Sequence, residues 1–220
     1  PYYVAKEVLN AELSEIEQGK IDSEDNWEHE KFYNWGLDFL RDSENKPLNP
    51  KGRTGIAGRG SLWFWGPNPM VYFIPLRFDK QSQNVEILLN SETDRNPIVN
   101  VHMRRHEELE NAISRIESKI PFGFKDWEKK EIHSGYLYDP RQTDNAWVEG
   151  KAFVTYYTDA ADQVVNTSSE DHFVWKVLEP SFINDLYSTY AELVRQGLEV
   201  LLESGEMEDG ILKKLLDKTG

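Results

Sequence analysis

Tyr138-Asp139-Pro140-Arg141-Gln142-Thr143-Asp144-Asn145-Ala146-Trp147-Val148-Glu149 is the stretch whose reading decides the most about this chain. It belongs with an earlier run, Asn49-Pro50-Lys51-Gly52-Arg53-Thr54-Gly55-Ile56-Ala57-Gly58-Arg59-Gly60. Neither has the alternation of a strand or the apolar stripe of a helix. Each gathers rigid, charged and hydrogen-bonding groups just ahead of an apolar segment, as loops that hold a polar ligand on a rigid scaffold do. A second reading stays open beside that one: a pair of buried turns whose Asp and Asn side chains bond their own backbone.

Outward from these runs, the chain alternates strand-like and helix-like segments. Val4 to Ile21 reads as a helix, and Phe32 to Leu40 as a short aromatic segment. Asp42 to Lys51 is a polar linker with two prolines. Strands are expected at Ser61–Trp65, Met70–Phe78 and Val85–Leu89, the last two joined by a polar turn. Met103, Leu109, Ala112, Ile113, Ile116 and Ile120 have helical spacing, and Pro121 ends that helix. Strands return at Ile132–Tyr138, Ala146–Tyr157 and Asp171–Leu178. A helix from an N-cap at Ser181 to Glu203 and a last helix at Glu206–Asp217 complete the reading. Strands interleaved with helices imply an α/β domain with a mixed sheet.

Bulk properties narrow the function. The chain has 220 residues, no Cys and a formal charge of −14. Thiolate nucleophiles, disulfides and Cys-ligated zinc are excluded, and a reducing compartment fits. The acidic balance argues against nucleic acid and against anionic membranes. Met70 to Leu76, the longest strongly apolar run, is interrupted by Pro75 and is too short for a membrane span, so a soluble chain is expected. Asn166-Thr167-Ser168 is a chance-level glycosylation sequon. Starting at Pro1 rather than Met, the chain reads as a piece of a longer protein. An anionic ligand fits in a pocket where local arginines overturn the global field, and the two runs supply Arg53, Arg59 and Arg141.

These residues carry a resemblance. Gly-Arg-Thr-Gly-x-x-Gly-Arg-Gly at 52–60, Trp65-Gly66-Pro67-Asn68, and Gly135-Tyr136 leading into Asp-Pro-Arg-x-Thr-Asp-Asn-Ala-Trp-x-Glu are similar to one group of proteins. That group comprises the ADP-ribose pyrophosphatases of the Nudix superfamily and the Nudix homology domain of the ADP-ribose-gated melastatin-type cation channel. Pro1 to Ala5 is similar to the start of the group's N-terminal arm, and Leu186 to Thr189 to its C-terminal Leu-Tyr segment. The resemblance implies a Nudix-like α/β/α sandwich with a mixed sheet, preceded by a smaller arm. Its divisions would be an arm or cap at 1–60, a core at 61–203 and an additional helix at 204–220.

By the same resemblance, Asp139, Arg141 and Tyr187 lie against ADP-ribose or a similar nucleotide diphosphate, Thr54 lies near its phosphates, and Thr189 stands where the group has Asn or Ser. Arg53 and Arg59 join them as phosphate-holding cations. Arg offers a planar fork to phosphate, Asp accepts from ribose hydroxyls, and Tyr gives a flat face with a polar tip. Pro69 replaces a His of the group. The implied setting is cytoplasmic, with the mitochondrial matrix as an alternative, within a larger oligomeric protein such as a calcium-permeable channel.

One element of the group is missing. The Nudix box begins with Gly and ends in Arg-Glu-x-x-Glu-Glu-x-Gly, its glutamates holding magnesium. No Gly occurs from Pro67 to Phe122, where the box would lie. No catalytic residues, metal ligands or cofactor are therefore expected. A sensor that binds without cleaving is the leading expectation. Two alternatives stand beside it: a pyrophosphatase with a non-standard magnesium site, and a ligand-free assembly domain. Glu107, Glu108, Glu110 and Glu117 read as a solvated acidic face, and His102 and His106, spaced i,i+4, as surface histidines rather than ligands. In Trp63-Phe64-Trp65 at least one tryptophan is expected in the core; Trp147 is expected to be structural.

Overall fold

The computed structural model describes residues 38–91, 97–104, 106–120, 127–157, 172–205 and 209–218. The expected helix Val4 to Ile21, and the aromatic segment up to Leu37, lie outside these residues. The fold is α/β, with a mixed sheet. In chain order the elements are β1 (Gly66–Asp79), β2 (Asn84–Asn90), β3 (Val99–His102), α1 (Leu109–Glu117), β4 (Lys129–Leu137) and β5 (Ala146–Tyr157). After them come β6 (Phe173–Val177), α2 (Pro180–Asp185), α3 (Ser188–Ser204) and α4 (Asp209–Leu216). The strand order is β4-β5-β1-β2-β6, with β3 pairing β1 off that path.

The described residues form two compact units. One holds those up to Val71 with Val101–Ile113 and Ser134–Lys151; the other holds Tyr72–Asn100, Ser114–His133 and those from Ala152 on. In the second unit, β1 and β2 are antiparallel with Leu76 opposite Ile87 and Asp79 opposite Asn84. That register begins just after Pro75, which has no N–H to give a ladder. The Asp79 carboxylate closes the hairpin by accepting from the amides of Gln81 at 3.1 Å and Ser82 at 3.2 Å. The Ser82 hydroxyl and these amides hold Asp79 below the usual carboxylate range. β2 pairs antiparallel with β6, Leu88 opposite Trp175.

This unit is built on apolar packing. Ile74, Leu76, Ile87, Val194 and Leu198 are fully buried. A Cβ at Gly197 would stand 3.3 Å from Val154 and 3.5 Å from Ile74. A side chain there would need Val154 to give by a few tenths of an ångström, so glycine suits the close approach of α3 to the strands.

Four expectations need correction. Ser61–Trp65 is not a strand: the Asn68 side chain accepts from the Phe64 amide and donates to the Phe64 carbonyl, both at 2.7 Å. A side chain thus does locally what a neighbouring strand would do, and the segment turns. The helix expected over 103–120 is confined to α1, because His106 adopts φ 59°, which interrupts helical geometry ahead of Leu109. The helix expected from Ser181 to Glu203 is two helices, since Leu186 and Tyr187 are extended (ψ 151° and 139°). Ser181 is not its N-cap: Glu179 is, and Pro180 opens the first turn, where a missing N–H costs nothing. Among the described residues no helix is long and apolar enough to cross a membrane.

Candidate functional site

The two motif runs fold onto each other within the first unit. Asp144 is the centre of that joint. One oxygen accepts from the Thr54 amide at 2.6 Å, the Gly55 amide at 3.0 Å and the Thr54 hydroxyl at 3.0 Å. The other meets Arg53 Nε at 3.3 Å. Burial works against this carboxylate, but the Thr54 and Gly55 amides, the Thr54 hydroxyl and Arg53 outweigh it and hold its pKa below the usual range. Backbone bonds continue the joint: Asp144 N–H donates to Ile56 O at 2.8 Å, and Asn49 N–H to Asp144 O at 2.9 Å.

Its neighbours extend the joint in both directions. The Asn145 side chain accepts from the Gly58 amide at 2.9 Å and donates to Pro47 O at 2.8 Å. The Thr143 hydroxyl donates to Gly58 O, and Asn49 Nδ2 donates to Thr143 O at 3.0 Å. The Tyr136 hydroxyl lies against the amide oxygens of Asn49 and Gln142. Burial pushes the Tyr136 pKa up, against the pull of those two partners. The reading of these runs as turns bonded to their own backbone holds in part: Asn49 Oδ1 accepts from the Lys51 amide at 3.0 Å and Asp139 from the Arg141 amide at 2.8 Å. It did not anticipate that the Asp144 and Asn145 side chains bond a loop some ninety residues earlier in the chain.

Asp139 and Arg141 form a second feature. Arg141 donates through Nε at 2.8 Å and Nη2 at 2.7 Å to the two oxygens of Asp139, a fork-to-fork pair that also fixes the turn through the Arg141 amide at 2.8 Å. Asp139 is buried, while Arg141 keeps about a third of its side chain exposed. The guanidinium lies over the Trp63 ring at 5.1 Å, and Trp63 stacks on His102 at 4.1 Å with 19° between the rings. Phe64 and Trp65 are buried, and Trp147 is fully buried with Nε1 donating to Glu149 at 3.0 Å. Trp147 is thus structural, as expected.

The anticipated cations have different fates. Arg59 is a correction: it is 1% exposed, and Nη1 donates to Leu62 O at 2.9 Å and Trp63 O at 3.1 Å, so its charge props the following turn rather than facing a ligand. Arg141 is engaged by Asp139. Arg53 is the outlier, with 90% of its side chain exposed and, among the described residues, only Nε engaged, by Asp144. It stands beside a cleft of about 700 Å³ lined by Phe39, Leu48, Asn49, Gly52, Arg53 and Asp144. Tyr187 and Thr189 fall in the second unit, Tyr187 as the residue preceding α3 with its ring 6.0 Å from that of Tyr190.

Two of the acidic groups between β3 and β4, Glu107 and Glu117, have structural partners. Glu107 accepts from the Arg104 amide at 2.7 Å. Glu117 pairs with Lys129 at 2.7 Å. His102 ends a strand and His106 sits in the left-handed region, so the i,i+4 helical spacing that would make them joint ligands does not exist. Among the described residues no group of three or more His, Asp or Glu side chains converges to hold a metal ion.

Comparison with known proteins follows the same lines. The family described as "NUDT9-like, N-terminal domain" matches residues 1–66. The chain is 30% identical over 141 residues to the transient receptor potential cation channel subfamily M member 2 of Mus musculus, which covers 57% of this chain and 9% of that protein. It is 28% identical over 193 residues to the mitochondrial ADP-ribose pyrophosphatase of Rattus norvegicus, covering 71% of this chain and 55% of that protein. The chain therefore spans about a tenth of the first relative's length and about half of the second's. Among solved structures, a mutT/nudix family protein from Listeria innocua aligns with TM-score 0.48 at 12% identity, over 64% of this chain and 98% of that one. With a NUDT9-like match at its N-terminal end and these relatives, the chain resembles the ADP-ribose pyrophosphatase branch of the Nudix superfamily.

Proposed function

We propose that this chain binds ADP-ribose, or a related nucleotide diphosphate, without hydrolysing it. The observation that carries the binding half is Arg53: an exposed guanidinium beside a cleft of about 700 Å³, with both terminal nitrogens outside its bond to Asp144. A planar fork of this kind suits a phosphate oxygen pair. Asp139 and Arg141 supply a rigid, pre-oriented pair beside the exposed part of Trp63. The non-hydrolytic half is supported by the missing Nudix box and by Glu107 and Glu117, which are engaged by a backbone amide and by Lys129. As part of a larger oligomeric protein at the cytoplasmic side of a membrane, such a module would report ligand occupancy to the remainder.

Calorimetry with ADP-ribose tests the reading, run beside an assay for AMP release in magnesium and in manganese. Binding without turnover is the expected result. Arg53→Ala should weaken binding by about 1.5–3 kcal/mol, the range for a hydrogen bond to a charged group. Absence of heat at millimolar ligand would sink the proposal, and sustained AMP release would replace it with the enzyme reading.

A second reading rests on the joint itself. Asp144, Asn145, Thr143 and Arg59 all have partners within the chain, which suits a domain kept as an assembly surface. It gains if neither ligand heat nor turnover is found.

A further inference from the structure

Three donors converge on one oxygen of Asp144: two successive amides, of Thr54 and Gly55, and the Thr54 hydroxyl. Gly55 sits at φ 86°, a conformation that turns its amide inward and that a side chain would resist. Consecutive amides aimed at one point form a concavity selective for anions. With a guanidinium on its rim, it matches what a phosphate oxygen requires. The anion inside is the chain's own carboxylate, whose side chain is 8% exposed, whereas that of Arg53 is 90% exposed. The inner half of this anion site is closed by Asp144, and the outer half faces solvent.

We propose that Asp144 is an internal surrogate for a ligand phosphate: the Arg53–Gly55 loop is a phosphate-class anion site that Asp144 occupies, and an incoming phosphate oxygen competes with Asp144 for the same donors. The proposal deepens the nucleotide-diphosphate reading, on which it rests for the biological ligand. Two consequences follow from charge. Asp144 lowers the affinity of the loop for phosphate, because two anions would share one set of donors. Displacing Asp144 also releases residues 53–55 from the 138–149 run, so occupancy and the coupling of the two runs are linked through one residue.

The test uses the whole 220-residue chain and inorganic pyrophosphate, which carries the anion chemistry without nucleoside. Calorimetry compares the starting chain, Asp144→Asn and the double variant Asp144→Asn with Arg53→Ala. Removing the competing charge should tighten pyrophosphate binding by about tenfold or more. The gain should vanish in the double variant. Equal affinity in the starting chain and Asp144→Asn overturns the proposal, as does a gain that survives loss of Arg53. If Asp144→Asn is unfolded at the working temperature, circular dichroism decides. Recovery of structure with rising pyrophosphate, and not with sodium chloride of equal ionic strength, supports the proposal; no recovery overturns it. ADP-ribose measured in parallel separates the two ideas: failure of ADP-ribose with a pyrophosphate gain sinks only the nucleotide reading, and the reverse pattern sinks only this one.

Discussion

The joint between the Asn49–Gly60 and Tyr138–Glu149 runs and the packing of α3 in the second unit are held by opposite means. The joint is directional. Its strength lies in buried polar groups that each have a designated partner, so a single lost acceptor strands several donors at once. The α3 packing is non-directional: Ile74, Val154, Gly197 and Leu198 stabilise it by excluding water and filling space. Polar joints specify one arrangement of two loops, while apolar packing supplies most of the stability of a domain.

The largest effect should come from the apolar side. Ile74→Ala removes a fully buried side chain beside Gly197 and should cost about 2–5 kcal/mol in urea unfolding, by lost transfer energy and a residual cavity. A cost below that of any joint substitution would break the comparison. Next, Asn145→Ala leaves the Gly58 amide and Pro47 carbonyl without their buried partner and should cost about 1–3 kcal/mol. Hydrogen exchange sharpens this case: protection should fall at Gly58 and its neighbours, with the β1–β2 hairpin unchanged.

The smallest effect is set by pH. Asp144 has a lowered pKa in the folded chain, so its contribution is present above the unfolded carboxylate value of about 3.9 and is lost as pH falls through the lower folded value. Acid titration should therefore loosen the joint below that value, and Asp144→Asn should flatten this part of the stability profile. Asp79 is also lowered, but it closes an exposed turn, so Asp79→Asn should change the profile far less. An unchanged acid limb in Asp144→Asn would remove electrostatics from the account of the joint.

Legibility in the sequence follows the same division. β1, β2, β5 and β6 were readable because runs such as Met70-Val71-Tyr72-Phe73-Ile74 declare burial whatever they pack against. Ser61–Trp65 was misread because its partner is the Asn68 side chain, and a side chain imitating a strand leaves no periodic trace. The break at Leu186–Tyr187 was equally silent, since neither residue is a helix breaker. At the candidate site, residue types were legible and their assignments were not. Arg53, Arg59 and Arg141 look alike as letters, yet one is exposed, one is buried against carbonyls and one is clasped by Asp139.

By itself the sequence determined an α/β chain without thiol chemistry, a stretch from Pro67 to Phe122 without glycine, and the two runs that matter. Composition and local pattern suffice for these, because they depend on which groups are present. Only the tertiary structure decided that the runs bind each other through Asp144 and Asn145, and that Arg53 alone of the three motif arginines reaches solvent almost whole. Those outcomes depend on which donor meets which acceptor across some ninety residues of chain. Hydrogen bonds are short and directional, so their pairing exists only once the fold has brought the loops together.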